Sequence, residues 1–469
     1  MPEFDAGFFQ ENLGLGKWGK RPLSGCVSGF SNDTRKIDHG DCFIAIKTEK
    51  RDGHDYLEQA ANAGAAMALV SECRPGVTLS QFVVPDSVAA LQELGRSHRL
   101  VAECPVVGIT GTAGKTSTKD LLALLLGDSA WKTQGNLNNT LGVPLTLLEI
   151  EPDTHTEVVI EAGISEGREM DVLADMIRPD VGIVTSVGPG HLDHLKTVEG
   201  VAQEKVKLLH AVEDGGLAIF PHTCLKFESF RKLDGRVWVT APMDVEVDLP
   251  SNYELICYTT ETRSKLHCGA RLRVAGPANF IFEYILPEMS DGMVSNAVLA
   301  ILAAQECGVS QADIVERLES WQPSTHRGQW VKMGKKRVYA DCYNANPLSM
   351  LDAFRHFDQN SHLTAERLFI VGTMNELGEE TERIHNEVGS KIPVGPKDRV
   401  VLIGPQAGAM AQGLAQRLTQ PGQIIEVDEV GEIMALFHGF SGEVFLKASR
   451  SYHLEILLNT PVGEAVGAC

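Results

Sequence analysis

The sequence predicts an α/β protein of three domains, each built on a largely parallel sheet. Three observations carry that reading. Apolar, strand-like runs alternate with helical segments from residue 105 onward, the pattern of parallel strands covered by helices on both faces. The chain has 469 residues, enough for about three domains at roughly 150 residues each. Finally, a strand, a glycine-rich loop and a helix follow one another over residues 106–126.

Taken in order, residues 1–104 form a small α/β domain. Asp41–Ile46 reads as a strand, Tyr56–Ala66 as a helix, Ala68–Val70 as a second strand and 87–103 as a second helix, closing at Cys104-Pro105. Residues 105–323 form a central domain with strands at 106–110, 158–162 and 181–187 and a buried helix over Asp120–Leu126. The stretch 220–290 is less regular and is expected to carry antiparallel strands, and the helix Val294–Cys307 is its clearest amphipathic segment. The run Pro-Ser-Thr-His-Arg-Gly at 323–328 reads as a linker. In residues 324–469, strands at Val338–Asp341, Leu368–Val371, Val400–Ile403 and Val444–Leu446 are spaced by helices, which predicts a dinucleotide-fold-like third domain. No internal repeat or low-complexity tract interrupts this order.

With 43% apolar and 22% charged residues the composition is that of a soluble globular protein. The net charge of −20 argues against nucleic acid or an anionic membrane as partner. The ten cysteines show no CxxC spacing and no dense framework, so reduced, mostly buried thiols are expected. The acidic start MPEFDAGFF lacks the basic and apolar regions of a signal peptide, and no window reaches the roughly 18 apolar residues of a membrane span. A cytoplasmic monomer without membrane insertion is expected.

The chemistry starts at Thr110-Gly111-Thr112-Ala113-Gly114-Lys115-Thr116-Ser117. A glycine loop between strand and helix offers unpaired N–H groups and a positive helix end to a polyphosphate. Lys115, expected on a solvated loop, can reach the β and γ oxygens, and the Thr116 hydroxyl can hold Mg²⁺. The strict GxxxxGK[ST] spacing fails, because Ile109 stands where the first glycine belongs and Gly108 is one place early. Glu161 closes an apolar strand, and His191 follows another in Gly188-Pro-Gly-His-Leu. Ligands gather at the carboxyl ends of parallel strands, so an acid and an imidazole there can complete a Mg²⁺ site, which needs only one or two protein carboxylates. The plain alternatives are a helix-capping Glu161 and a loop His191. Lys205, on a helix entering the same neighbourhood, reads by itself as a surface lysine.

Together these motifs resemble the Mur ligase family. The resemblance rests on Gly111–Thr116, on Gly135-Asn136-Leu-Asn138-Asn139-Thr140-Leu-Gly142, on Glu161-Ala-Gly and on Val187–Leu192. Asp33-Thr34-Arg35, Gly40-Asp41-Cys-Phe43 and Asp52-Gly-His-Asp55 add to it in the first domain, and Met374-Asn-Glu376-Leu-Gly378 and Lys447-Ala-Ser449-Arg450 in the third. Asp341-Cys-Tyr-Asn344-Ala-Asn346-Pro-Leu-Ser349 looks like the signature of the member that adds D-Ala-D-Ala. The ordered set spans nearly the whole chain.

The resemblance implies a small UDP-sugar-binding α/β domain, a central P-loop ATPase-type parallel sheet and a C-terminal Rossmann-like α/β domain. It also implies the reaction. ATP phosphorylates the terminal carboxylate of UDP-N-acetylmuramoyl-tripeptide, and the amine of D-Ala-D-Ala displaces phosphate from the acyl phosphate. Two mutually repelling anions must meet, so cations must gather where charge develops. Lys115 and Mg²⁺ serve that need, with Thr116 and Glu161 on one ion, His191 on a second, and Lys205 at a position that carries a carbamate in several members. By the same resemblance Asn296 contacts adenine, and Arg327 and Asp341 contact ribose and phosphates. Thr34, Arg35, Asn136, Asn138, Asn139 and Thr140 hold the UDP-muramoyl portion, while Asn344, Asn346, Ser349, Lys447, Ser449 and Arg450 serve the substrates in the third domain. A sister amide ligase with another amino-acid substrate is the rival on this fold. Four positions depart from the family pattern: Gly292 within Ser-Asp-Gly before the adenine helix, His326 before Arg327, Thr373 in place of an acid, and Ser451-Tyr452-His453 after Ser-Arg.

Overall fold

The computed structural model describes residues 2–262, 270–276, 281–362, 366–415 and 422–458; Cys268 and Cys469 lie outside them. Three sheets follow one another along the chain. The first runs Lys17–Trp18, Ser80–Val83, Met67–Val70, Asp41–Ile44, Gly29–Ser31 in spatial order, parallel except for the edge strand Lys17–Trp18. The central sheet has nine strands. Its parallel part is ordered Glu254–Thr262, Arg236–Pro242, Leu217–Pro221, Val181–Val184, Val106–Thr110, Glu157–Glu161, Ala130–Lys132. Ala270–Ala275 and Ile281–Leu286 extend it antiparallel at one edge. The third sheet is ordered Gln329–Met333, Lys336–Ala340, Gly442–Lys447, Arg367–Gly372, Arg399–Ile403, Ile424–Val427, with only the first pair antiparallel.

Strand periodicity explains how the central sheet carries two cores. Val106, Val158 and Ile160 face one cluster, while Val107, Ile109 and Val159 face the other. Every residue of Val106–Thr110 is buried, as a strand covered on both faces requires. The helix Asp291–Glu306 departs from its expected character. It is not amphipathic: Val294 and all of Asn296–Ala304 are buried. Its alanines let it lie close against the P-loop helix Lys115–Leu126 inside one core, so it presents no polar face to water. The expected antiparallel strands in 220–290 are those at the sheet edge, whereas Leu217–Pro221 and Arg236–Pro242 continue the parallel run.

The first sheet is fastened to the second through the helix Ser87–Val101. Arg99, buried in this seam, donates to the carbonyls of Ile177 and Arg178 at 3.1 and 3.0 Å and pairs with Asp180 at 3.1 Å. A Cβ on Gly95 would stand 2.7 Å from Pro144, so a helix crosses there at backbone distance.

Candidate active site

Val106–Thr110, Glu157–Glu161 and Val181–Val184 are parallel neighbours, so their carboxyl ends open on one edge. The loop 111–114, Glu161 and the loop leading to His191 therefore converge by topology alone. Gly114 caps the P-loop helix at φ +87°, and a Cβ there would come within 2.4 Å of Asn296 Oδ1. Only glycine lets the turn and Asn296 share that space. Thr112 ties the P-loop to its neighbour: its hydroxyl donates to Gly188 O at 3.2 Å and accepts from Gly188 N at 3.1 Å.

Lys115 corrects one expectation. It is the first residue of the helix, half-buried, with Nζ donating to Gly111 O at 2.9 Å, and does not lie on a solvated loop. Burial lowers its pKa, Glu161 raises it in part, and the charge of Arg327 lowers it further. Thr110 ends the strand that leads into the loop. It is fully buried and its hydroxyl donates to Ala162 O at 2.8 Å, so its side chain braces the sheet edge.

Glu161 is 2% exposed. Its Oε1 accepts from Asn138 Nδ2 at 2.8 Å, while Oε2 is buried without a hydrogen-bond partner among the described residues. The nearest cation to that oxygen is Lys119 Nζ at 3.9 Å. Sequence reasoning passed over Lys119, although it lies one helical turn beyond Lys115 and hence on the same face. A buried carboxylate oxygen with a free lone pair is the acceptor a divalent ion needs. Lys205 is 1% exposed and forms no ion pair or hydrogen bond with the described residues. Burial pushes its pKa well below the ordinary lysine value, the charge of Lys115 adds to that, and Glu204 opposes it. It is not the surface lysine its local sequence indicates. Among the described residues no three His, Cys, Asp or Glu side chains form a ready-made metal cage. A site completed by substrate phosphates would need none.

The third domain closes over this edge. Asn346 caps the helix Pro347–Asn360 by accepting from Ser349 N, and its Nδ2 donates across to Thr112 O at 3.2 Å. Ser349 completes the capping box, with its hydroxyl bonded to the backbone of Asn346. Arg327 lies with its guanidinium carbon 4.1 Å from the centroid of Tyr343, and Arg450 approaches the same ring at 5.4 Å. His191 pairs through Nδ1 with the carboxylate of Glu376, which holds that carboxyl below its usual range.

Lys447 is 1% exposed and donates to Asp341 Oδ2 at 2.5 Å and to Asn344 O at 3.1 Å. Ser449 is likewise buried and accepts from Asn375 N at 3.1 Å. Asn139 accepts from Leu141 N and Gly142 N in the turn that leads into the following helix. Thr140 lends its carbonyl to Gln92 of the first domain, and Asn136 is exposed. Thr34 and Arg35 lie away on the first domain, where Arg35 pairs with Asp33 at 2.7 Å in solvent.

A model of the Mur ligase middle domain matches residues 109–304, and one of the Mur ligase glutamate ligase domain matches residues 326–440. The chain is 30% identical over 403 residues to the UDP-N-acetylmuramoyl-tripeptide–D-alanyl-D-alanine ligase of Synechocystis sp., covering 82% of each chain. It belongs to the Mur ligase family. A relative of the same name from Bacillus subtilis is 28% identical over 92% of each chain. Among solved structures, MurF of Acinetobacter baumannii matches at a TM-score of 0.83 and 26% identity, over 98% of both chains.

Two departures from the Mur ligase pattern turn out to be neighbours. The Thr373 hydroxyl, 1% exposed, bonds the Tyr452 hydroxyl at 2.5 Å. Tyr452 fits because position 404 is glycine: a Cβ there would meet the phenol oxygen at 2.1 Å. Thr373, where the family pattern has an acid, and Tyr452 thus form one hydrogen-bonded pair.

Proposed function

We propose that this Mur ligase joins D-Ala-D-Ala to UDP-N-acetylmuramoyl-tripeptide with hydrolysis of ATP to ADP and phosphate, giving the UDP-muramoyl-pentapeptide used in peptidoglycan synthesis. One observation carries the reading: the P-loop lysine, an unsatisfied buried carboxylate oxygen and the Asn346 cap of the third domain gather at one edge of the central sheet. The relatives' names and the motif Asp341–Ser349 support the choice of substrates.

In this reading Lys115 and the N–H groups of 114–117 take the β and γ phosphates, while those of Thr112 and Ala113 are held by Ser186, and Asn296 and Arg327 take the base and ribose-phosphate side. The tripeptide carboxylate attacks the γ-phosphorus and ADP leaves. The amine of D-Ala-D-Ala then attacks the acyl carbon, and phosphate leaves as the amide forms. Thr116, Glu161, His191 and a carbamoylated Lys205 would hold Mg²⁺, which supplies positive charge to the triphosphate. Lys205 suits that role because only a neutral amine adds to CO₂, and its buried site disfavours the ammonium. The carbamate would form as the N–C bond closes and a proton leaves. Asn346 and Thr112 hold the third domain down, keeping water from an acyl phosphate that would otherwise hydrolyse.

No helix among the described residues is long and apolar enough to cross a membrane. With the described cysteines all unbonded, a cytoplasmic setting fits. The test is phosphate release from ATP with UDP-N-acetylmuramoyl-tripeptide, with and without D-Ala-D-Ala. Release that requires the dipeptide is expected. Equal turnover with a free amino acid such as diaminopimelate would overturn the assignment.

A further inference from the structure

We infer that Glu376 is the positioning residue for His191, so that the imidazole is correctly presented only when the third domain is seated on the central one. The inference takes the proposed role of His191 as its starting point.

The contact joins two loops from different sheets. His191 ends the loop after Val181–Val184, and Glu376 lies in the loop after Arg367–Gly372. Besides the pairing of Nδ1 with the carboxylate, Leu192 N donates to Glu376 O at 2.8 Å. Gly378 then approaches so closely that a Cβ on it would lie 3.1 Å from Leu192 O. His191 and Glu376 both adopt left-handed backbone, at φ +55° and +62°. Non-glycine residues occupy that region at a cost in free energy and keep it only where the surroundings hold them. Here each of the two strained loops holds the other.

Stability is a poor explanation for the pair. The side chains are 32% and 52% exposed, and ion pairs so open to water contribute little to folding. Geometry is a better one. A carboxylate held against Nδ1 favours the proton on that nitrogen, which leaves Nε2 its lone pair. A carboxylate behind a histidine is the general device for setting tautomer and ring orientation toward a cation. What is unusual is that the carboxylate comes from another domain. Opening the cleft removes it and frees the ring, so cation capture and closure become one event.

The test reads the imidazole directly, in the full chain without nucleotide, by long-range ¹H–¹⁵N correlation of ¹⁵N-histidine-labelled protein. The His191 signals are assigned with His191→Asn. Wild type is expected to show the Nδ1–H tautomer, and Glu376→Ala a mixture shifted toward Nε2–H. Glu376→Gln, which keeps an acceptor of the same shape, should restore the wild-type pattern. In turnover, Glu376→Ala should raise the Mg²⁺ requirement roughly 10–100-fold while leaving the KM for the UDP-tripeptide unchanged. A His191 spectrum identical in wild type and Glu376→Ala overturns the inference. Because that spectrum needs no substrate, absence of ligase turnover in wild type would sink the proposed function and leave the Glu376 result standing.

Discussion

Asp341 and Lys447 form a pair from which neither partner can be removed cleanly. Lys447 is almost fully buried, and Asp341 is its only counter-charge among the described residues. Removing one partner of such a pair costs about 3–5 kcal/mol, because a buried charge is left alone. Asp341→Ala should therefore lower the melting temperature as well as raise the ATP requirement. Asp341→Asn combined with Lys447→Met should restore stability without restoring ATP affinity, and thermal melts beside ATP titrations separate the two effects. Lys115→Ala is the contrasting case. Its ammonium bonds one loop carbonyl, so the fold should survive while kcat falls by roughly 10²–10³, the usual cost of losing one preorganised charge at developing negative charge. Near-normal turnover would remove Lys115 from the chemistry. Thr373 and Tyr452 test coupling: Thr373→Val and Tyr452→Phe should be non-additive in urea melts by about 1 kcal/mol. That Lys115, Glu161 and His191 stand at one edge of the central sheet was legible in the sequence, because each ends or follows an apolar strand run or a glycine loop. Lys119, Glu376 and the burial of Lys447 were not. Their meaning comes from partners on other elements, and no local spacing encodes those.

Among the elements, the strand Gly442–Lys447 is the keystone of the third sheet, paired in parallel on both sides. Its Phe445 is fully buried and meets the rings of Tyr339, Phe354, Phe357 and Phe369 at centroid distances of 5.1–5.9 Å. Phe445→Ala should cost about 3–5 kcal/mol, by lost transfer energy and by the cavity that four large neighbours cannot close. Chemical denaturation measures this, and a loss under 1 kcal/mol would mean the ring cluster collapses to fill the gap. The strand was visible in the sequence as Val444–Leu446, because an unbroken apolar run is what a doubly covered strand needs. Gln329–Met333 was invisible: it is an edge strand whose half-exposed Trp330 and polar neighbours give no continuous pattern. Ala130–Lys132 is too short to show any period. The helix Asp291–Glu306 was located but misjudged, since a window rich in alanine and leucine looks one-sided until the elements on its other side are known.

At the scale of the molecule, buried histidines set the response to acid. His385 is fully buried, with Nε2 accepting from Met374 N at 2.9 Å, so protonation would destroy that bond. His98 donates from Nε2 to Ile150 O, 2.8 Å away, in the seam between the first and central domains. Burial holds the pKa of both, and of His356, below the ordinary histidine value. The unfolded chain titrates near 6.5, so beneath that pH it binds protons the folded chain refuses. Stability from these groups is thus fully present above about pH 7 and is lost as the pH falls from roughly 6.5 toward the depressed folded values, at about 1.4 kcal/mol per unit of pKa difference. Asp41, Glu149 and Asp352 are raised by burial and act in the opposite direction, but within the carboxylate range at lower pH. Relief of the −20 net charge also favours the folded state on acidification, though it is long-range and largely screened at 0.15 M salt. In that salt the urea midpoint should be flat from pH 8 to 7 and should fall between 6.5 and 5.5. His98→Gln, which keeps a donor toward Ile150 O without a titrating ring, should make the fall shallower. A midpoint that stays level down to pH 5.5 would mean these rings admit a proton in place, and that the first domain is not locked to the second through a neutral imidazole.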